Sequence, residues 1–267
     1  MSNVLTITTL GASLDQQRMP GHLVLVRLGK CVLRPGGVEL TRRMLAALTI
    51  VSADHVVEFG PGLGMTAQLA LKRGPASYTA VERDPAAASI VSSYLKDSTQ
   101  KCVRGSADQT GLRSEVATVV YGEAMLTMQT PEMKRCIVRE ARRLLKRGGR
   151  YAIHEMCLVG DDLDEDGKKI NQALSRALHV GVRPLSASEW RRLMEAEGFE
   201  VEVEARTPMH LLEPNRLLRD EGVKGSLRFV WNILRDRESR RRVLMMRKVF
   251  RRYQSNLAAI MMICVKR

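Results

Sequence analysis

Short apolar runs alternate along the middle of the chain with stretches whose apolar residues recur every three or four positions. The runs fit buried strands, and the stretches fit helices that pack on a sheet. Such alternation is typical of a doubly wound α/β sheet. The predicted strands cover residues 55–59, 77–81, 101–104, 117–121, 150–156, 200–205 and 258–265.

The sequence contains end signals for two helices of this α/β region. Apolar spacing predicts one helix over residues 131–145, and Gly148 and Gly149 are expected to end it. A second helix is predicted over residues 186–197, with Ser188 as its N-cap.

Two segments lie outside this alternation. We expect residues 1–50, with a helix over 39–48, to form an N-terminal helical extension. Residues 51–207 and 255–267 would then form the α/β domain, and residues 208–254 a helical cap inserted between strands six and seven. Two apolar faces lie on the cap: Leu227, Val230, Trp231 and Leu234 on one helix, and Val243, Met246, Phe250 and Tyr253 on the next. They are expected either to form an apolar lid with Met209, Leu211 and Leu212 or to be ordinary core residues of two packed helices.

The net charge of +14 is concentrated in the cap. Residues 216–252 contain 13 Lys and Arg against four Asp and Glu. A basic surface of this kind fits a solvated helix face, an anionic lipid or acidic substrate, or nucleic acid. It lacks the interleaved aromatic residues that stack on bases, which argues against nucleic acid without excluding it.

Composition argues against membrane-spanning, secreted and disulfide-stabilised classes of protein. The longest apolar run is nine residues, 257–265, against the roughly 20 residues that span a bilayer. No basic region precedes an apolar stretch near residue 1, as a secretion signal would require. Five cysteines without a C-x-x-C pair fit reduced thiols, so we expect a cytoplasmic protein with no disulfide framework.

A glycine-rich turn follows the first predicted strand. Gly60, Gly62 and Gly64 alternate there, where a backbone must turn tightly and let a ligand approach. Met65 occupies the position where a dinucleotide-binding turn would need its third glycine, and the Gly-Lys-Ser/Thr of a phosphate-binding loop is absent. The turn therefore favours a different nucleoside ligand.

Two acidic residues indicate what kind of ligand this is. Glu82 ends the second predicted strand, where a carboxylate can accept both hydroxyls of a ribose. Glu58 lies two residues before the first glycine and would repel a pyrophosphate, so it suits an amine-bearing group. S-adenosylmethionine combines a ribose with an amino acid and carries no phosphate.

Several further motifs follow in order over about residues 55–205. Residues 58–64 read E-x-G-x-G-x-G and residues 81–85 read V-E-R-D-P. The others are G-S-A at 105–107, R-L-L-K-R-G-G-R-Y at 143–151 and E-A-E-G-F-E-V at 195–201. In these motifs the chain resembles the class I S-adenosylmethionine-dependent methyltransferases, in particular those that act on small molecules.

The resemblance implies a Rossmann-like seven-stranded sheet with helices on both faces. It also implies S-adenosylmethionine as cofactor and S-adenosylhomocysteine as product. Gly60, Gly62 and Gly64 would line the methionine part, Glu82 would hold the ribose, and Arg83, Ser106 and Ala107 would lie around the adenine. Glu58 completes the candidate cofactor-binding residues. Ser106 departs from the family, which commonly has Asp there.

Candidate catalytic residues lie where the acceptor side of such a sheet opens, at the carboxyl ends of strands four and five. Glu123, His154 and Glu155 are expected there, and each is able to accept a proton. Alternatively, Glu123 bonds the cofactor or a helix N-terminus, and His154 only packs. The other four histidines show no metal-ligand spacing, so no metal is expected.

Three functions remain open from the sequence. The first is methyl transfer to a small organic acceptor, apolar or acidic, under the cap. The second is an RNA methyltransferase that docks through the basic insertion, although the N/D-P-P-Y/F and Pro-Cys motifs of known nucleobase enzymes are absent. The third is a non-catalytic S-adenosylmethionine-binding protein, which the residues Ser106 and Thr118 motivate. Peripheral membrane contact and the oligomeric state stay open.

Overall fold

The sheet at the centre of the molecule has the strand order β3-β2-β1-β4-β5-β8-β7, and a short strand β6 pairs with β5. The computed structural model describes residues 18–160 and 164–267. Strands β1 to β5 are parallel to one another, whereas β8 is antiparallel to both β5 and β7. The strands are β1 His55–Phe59, β2 Ser77–Glu82, β3 Gln100–Arg104, β4 Ala117–Glu123, β5 Leu145–Leu158, β6 Leu185–Ser186, β7 Phe199–Pro208 and β8 Leu257–Lys266.

Helices flank this sheet and build the cap. They are α1 Gly21–Arg27, α2 Gly37–Leu48, α3 Met65–Leu71, α4 Pro85–Ser92, α5 Pro131–Leu144, α6 Asp164–Leu178, α7 Ala187–Ala196, α8 Pro214–Arg235 and α9 Arg237–Arg252. Within the described ranges, none of these helices combines the length and the apolar character that crossing a bilayer requires.

The Rossmann-like α/β sheet expected from the sequence is confirmed. All seven predicted strands are present, and β6 is an eighth that the sequence analysis did not identify. Helices α1 and α6 were not predicted either. The limits of the extension, α/β domain and cap stay a prediction.

Two boundary predictions were wrong. Gly148 and Gly149 do not end a helix, because α5 ends at Leu144 and the chain enters β5 directly. Both glycines lie where the register between β4 and β5 shifts, so they belong to a bulge. The N-cap of α7 is Ser186, not Ser188.

The position of this cap follows from a capping box. The Ser186 hydroxyl accepts from the Glu189 backbone N–H at 3.3 Å, and the Glu189 carboxylate accepts from the Ser186 N–H at 2.7 Å. Both bonds satisfy donors that the first turn of a helix leaves unpaired.

Apolar clusters cover both faces of the sheet. On one face, α5 and α7 pack through residues such as Ile137 and Trp190. On the other, α2 and α3 pack through residues such as Met44 and Ala70. A third cluster joins the cap to the ends of β5 and β8, so the cap shares a core with the sheet.

The two helices of the cap bury their apolar residues differently. Helix α9 packs Val243, Met246 and Phe250 into the third cluster, as expected. The predicted face of α8 around Leu227 and Trp231 is instead exposed, so the expectation of a lid was wrong for α8. Its packing comes from Phe229, on the opposite side of the helix.

Candidate functional site

The turn between β1 and α3 contains the three alternating glycines. Gly60, Gly62 and Gly64 have φ angles of +59°, +56° and +71°, in the left-handed region that favours glycine. The Gly60 N–H donates to the Val81 carbonyl of β2 at 2.9 Å. A Cβ on Gly64 would lie 2.7 Å from the ring of Tyr94, so a side chain there would also clash. Backbone conformation therefore favours glycine at all three positions, and packing requires it at Gly64 as well.

Glu82 joins this turn to the end of β2. Its Oε2 accepts from the Gly62 N–H at 3.0 Å, and its Oε1 accepts from the Asp84 N–H at 3.0 Å. A Cβ on Gly62 would meet no atom within 4 Å, so the turn faces open space at that point. The turn and Glu82 together fit a ligand that approaches the backbone closely and offers hydroxyl groups.

The remaining predicted cofactor-binding residues lie at the ends of β2 and β3, which are neighbours in the sheet. Arg83 is exposed. The Ser106 hydroxyl donates to the Asp108 carboxylate, which ties the two side chains together. Ala107 is buried and packs in the same cluster as Val81. The structure therefore brings these residues to the same edge of the sheet as Glu82.

Glu58 lies below the turn, within the sheet. Its Oε2 accepts from the hydroxyls of Tyr78 at 2.5 Å and Tyr121 at 2.7 Å. Burial raises the pKa of Glu58 to about 7, although the two tyrosine hydroxyls oppose that shift. Glu58 therefore titrates near neutral pH.

Glu123, at the end of β4, is the centre of a buried polar cluster. We call this set the Glu123 cluster; its donors to the carboxylate are the Arg34 guanidinium, the Thr66 hydroxyl, the Thr41 hydroxyl at 2.6 Å and His154 Nδ1 at 2.7 Å. Thr66 belongs to α3, directly after the glycine turn. The cluster therefore connects that turn to the ends of β4 and β5.

The donors around Glu123 determine its charge. Burial alone would raise the pKa of Glu123, but the charge of Arg34 and the hydrogen bonds from His154 and Thr41 hold it well below its usual range. Glu123 is therefore ionised at neutral pH. A carboxylate with so low a pKa is a weak proton acceptor.

His154 has both ring nitrogens in hydrogen bonds and is fully buried. Its Nε2 lies 2.5 Å from the Pro35 carbonyl oxygen, and its Nδ1 faces Glu123. Both partners are hydrogen-bond acceptors, so these two contacts fix the orientation of the ring.

Glu155 lies apart from this cluster, because neighbouring strand residues point to opposite faces of a sheet. It is fully buried, and both of its oxygens are hydrogen-bonded. The donors are the backbone N–H groups of Met125, Leu126 and Thr127 and the Thr127 hydroxyl, at 2.7–3.0 Å. Glu155 thus fixes the turn that follows β4, next to Gly60, whose Cβ would lie 3.9 Å from Met125 Sδ.

Arg34 is a site residue that the sequence analysis missed. It lies in the loop of residues 28–36 between α1 and α2, and its guanidinium reaches both Glu123 and Thr66. The available signal was an Arg-Pro-Gly-Gly run between two helices, which indicates a loop but not the partner of its arginine.

Helix α8 holds this loop in place. Glu221 accepts from the backbone N–H groups of Cys31 at 2.9 Å and Val32 at 2.8 Å. The fully buried Lys30 ammonium lies 3.5 Å from Glu221 and 3.8 Å from Asp220. The cap thereby fixes the loop that carries Arg34.

The chain is similar in sequence to a family model and to individual known proteins. Residues 57–153 match the family model described as "Methyltransferase domain". The chain is 31% identical over 235 residues to a Haemophilus influenzae protein described as "Uncharacterized protein", covering 86% of this chain and 91% of that one. A shorter match, 57% identical over 44 residues, links it to ribosomal RNA small subunit methyltransferase A of Corynebacterium glutamicum, covering 16% of this chain and 15% of that one.

Solved structures share the fold. The MccD protein superposes with a TM-score of 0.69 at 17% identity, covering 88% of this chain and 100% of that chain. A geranyl diphosphate methyltransferase in complex with GPP and sinefungin gives a TM-score of 0.63 at 15% identity, covering 86% and 78%. At these identities the likeness concerns the fold.

Proposed function

Because this chain belongs to the class I S-adenosylmethionine-dependent methyltransferases, we propose that it methylates a small organic acceptor bound beside the loop of residues 28–36. S-adenosylmethionine is the methyl donor of this family. When bound, it supplies a methyl group on a sulfonium sulfur, and S-adenosylhomocysteine is the product.

The observation that carries the donor site is the pairing of the glycine turn with Glu82. Two backbone N–H groups fix the Glu82 carboxylate, and Gly62 faces open space beside it. These residues fit the ribose and methionine parts of the donor. Arg83, Ser106 and Ala107 are proposed to surround the adenine.

The loop over the acceptor side supports a small acceptor. Arg34 contacts the end of β4 and the Pro35 carbonyl contacts β5, so the loop crosses the edge where the acceptor would enter. A macromolecular acceptor would have to displace this loop and break its contacts with Glu221. A small molecule requires no such opening.

The three candidate catalytic residues are proposed to act by positioning. Glu123 and His154 hold Arg34 and Pro35, and Glu155 holds the turn at Met125. The pKa of Glu123 is held well below its usual range, and the polar atoms of His154 and Glu155 are engaged in hydrogen bonds. Proton removal would therefore fall to the acceptor itself or to solvent.

Calorimetric titration of S-adenosylmethionine and S-adenosylhomocysteine tests the donor site. The wild-type chain should bind both, and Glu82→Ala should weaken binding about 30-fold or more, since charged hydrogen-bond partners contribute about 2 kcal/mol. Glu202→Ala, on an exposed position of β7, is the matched control and should bind as wild type. Absent binding to the wild type would overturn the proposal.

Methyl transfer from labelled S-adenosylmethionine to a panel of apolar and acidic metabolites, with total RNA in parallel, tests the acceptor class. Labelling of a metabolite supports the proposal. Labelling of RNA, with binding that falls steeply as salt rises, would favour the RNA alternative that the basic cap motivates. Donor binding without turnover on any acceptor would favour the non-catalytic alternative.

A further inference from the structure

Helix α8 exposes an apolar surface, which we call the α8 face. Apolar side chains this exposed and this closely spaced mark an interaction site more often than a random surface. The face consists of Val223, Leu227, Val230, Trp231 and Leu234, of which Leu227, Trp231 and Leu234 are 66%, 55% and 59% exposed.

The α8 face is a continuous stripe on one side of the helix. Its members follow a kink at Gly222, where φ is +67° and ψ is 179°. They recur at intervals of one, three or four residues, which places them in line on an α-helix. The opposite side is anchored by buried Phe229 and by Asn232, whose side-chain amide donates to the Leu28 carbonyl at 3.0 Å. The stripe is therefore held outward.

Cations border the stripe on one flank. Lys224, Arg228 and Arg235 fall on that side of the helical wheel, and residues 223–235 contain no acidic residue. The Arg235 guanidinium lies 4.5 Å from the centre of the Trp231 ring. Helix α9 adds exposed Arg241 and Lys248 close by in the sequence.

We propose that the α8 face docks on the surface of an anionic lipid bilayer. Its aliphatic side chains would enter the boundary between headgroups and acyl chains, where an amphipathic helix lies in the plane of the membrane. Trp231 and its neighbouring arginine have the amphipathic character that suits the headgroup level. The bordering cations would attract anionic lipids, at about 1 kcal/mol for each Lys or Arg near the surface.

Charge argues against a second copy of the chain as the occupant. A symmetric pairing of two α8 faces would bring the bordering cations of both copies together. No acidic residue within 223–235 is present to compensate them. An anionic bilayer would bury the apolar stripe and also attract the bordering cations.

Vesicle co-sedimentation of the full chain tests the proposal. The protein should bind vesicles of phosphatidylcholine and phosphatidylglycerol, bind pure phosphatidylcholine at least about tenfold more weakly, and lose affinity as salt rises. The double variant Leu227→Gln/Leu234→Gln should reduce the partition coefficient at least about tenfold. Val51→Gln, at an exposed apolar residue remote from α8 in the sequence, is the matched control.

Tryptophan emission gives a second readout. The chain has two tryptophans, of which Trp190 is fully buried and Trp231 is exposed. Binding of anionic vesicles should shift the emission to shorter wavelength, and Trp231→Gln should abolish the shift.

Three results would overturn the proposal. One is absent binding of the wild type to anionic vesicles. Another is unchanged binding of the double variant, with its fold verified by thermal unfolding. The third is a wild-type dimer, detected by sedimentation, that the double variant converts to a monomer without any lipid binding.

Discussion

The two sides of the candidate site are built from different kinds of contact. On the side where we propose that the donor binds, the ends of β1, β2 and β3 meet through backbone N–H groups, as in the bond from Gly62 to Glu82, 20 residues away. On the side where we propose that the acceptor binds, charged side chains meet across long separations: Arg34 bonds Glu123, 89 residues away, and the Lys30 ammonium lies 3.5 Å from Glu221, 191 residues away.

This difference predicts different sensitivities. A backbone N–H donor is kept when its own side chain is substituted, provided that glycine is kept where φ is positive. A buried ion pair fails when either side chain is removed, because its partner is left charged and unpaired. Side-chain substitutions should therefore affect the two sides differently, with the greater loss of stability where a buried ion pair is broken.

The largest effect is expected for Arg34→Ala. It leaves the ionised Glu123 carboxylate buried without its guanidinium, so the free energy of unfolding should fall by about 4 kcal/mol. The Kd for S-adenosylhomocysteine should change less than about threefold if the donor side is independent. Urea denaturation and calorimetry measure the two quantities.

The control for this prediction is Arg135→Ala, which removes an exposed guanidinium from its pair with Glu197. It should cost less than about 1 kcal/mol. Arg34→Lys keeps the charge and should recover part of the loss. Equal effects of Arg34→Ala and Arg135→Ala would mean that the acceptor side does not depend on its ion pair.

Glu58 gives the donor side a pH dependence. Its pKa is raised from 4.5 to about 7 in the folded chain, so the folded state binds a proton more tightly than the unfolded state. Stability from this group is complete below about pH 4 and is lost as pH rises through 7, by about 3 kcal/mol in total.

Glu58→Gln removes this titration. The free energy of unfolding of the variant relative to wild type should therefore increase between pH 5 and pH 8, as urea denaturation at each pH would show. Parallel pH profiles for the two proteins would contradict the raised pKa.

Glu221→Ala tests the link between cap and loop. It removes the acceptor for two backbone N–H groups and one partner of buried Lys30, so stability should fall by about 2 kcal/mol. Glu221→Gln keeps an acceptor oxygen and should lose about half as much. Hydrogen exchange at Cys31 and Val32 should rise in the alanine variant. Unchanged exchange there would show that α8 does not hold the loop.

The smallest and most specific effect is expected for Gly62→Ala, with Gly74→Ala as its matched control. Both glycines have positive φ and open space around a Cβ, so each substitution should cost about 1 kcal/mol in stability. Only Gly62→Ala should weaken S-adenosylhomocysteine binding, by about tenfold, because its methyl group would occupy the space beside Glu82. Equal affinities of the two variants would remove Gly62 from the donor site.

The sequence predicted that the glycine turn and the end of β2 lie together, because the signals for both are local. The glycine turn and the end of β2 are each contained in a few consecutive residues, and strand order brings them together. The roles of the individual residues in cofactor binding stay a prediction. The fold class followed from the alternation of strands and helices.

The acceptor side was predicted less completely, for a physical reason. An arginine in a loop carries no information about a partner 89 residues away, so the contact of Arg34 with Glu123 was missed. Periodicity likewise showed that Leu227 and Trp231 share a face, but not whether another element covers that face.

The position of β8 determines when the central sheet can be completed during synthesis of the chain. This strand lies between β5 and β7, so β5 keeps an unpaired edge until residues 257–266 have emerged. The donor-side strands β1 to β4 precede it and pair among themselves. A nascent chain would therefore carry strands β1 to β4 already paired beside an open edge of β5. Such an edge is a template for wrong pairing and a target for a chaperone.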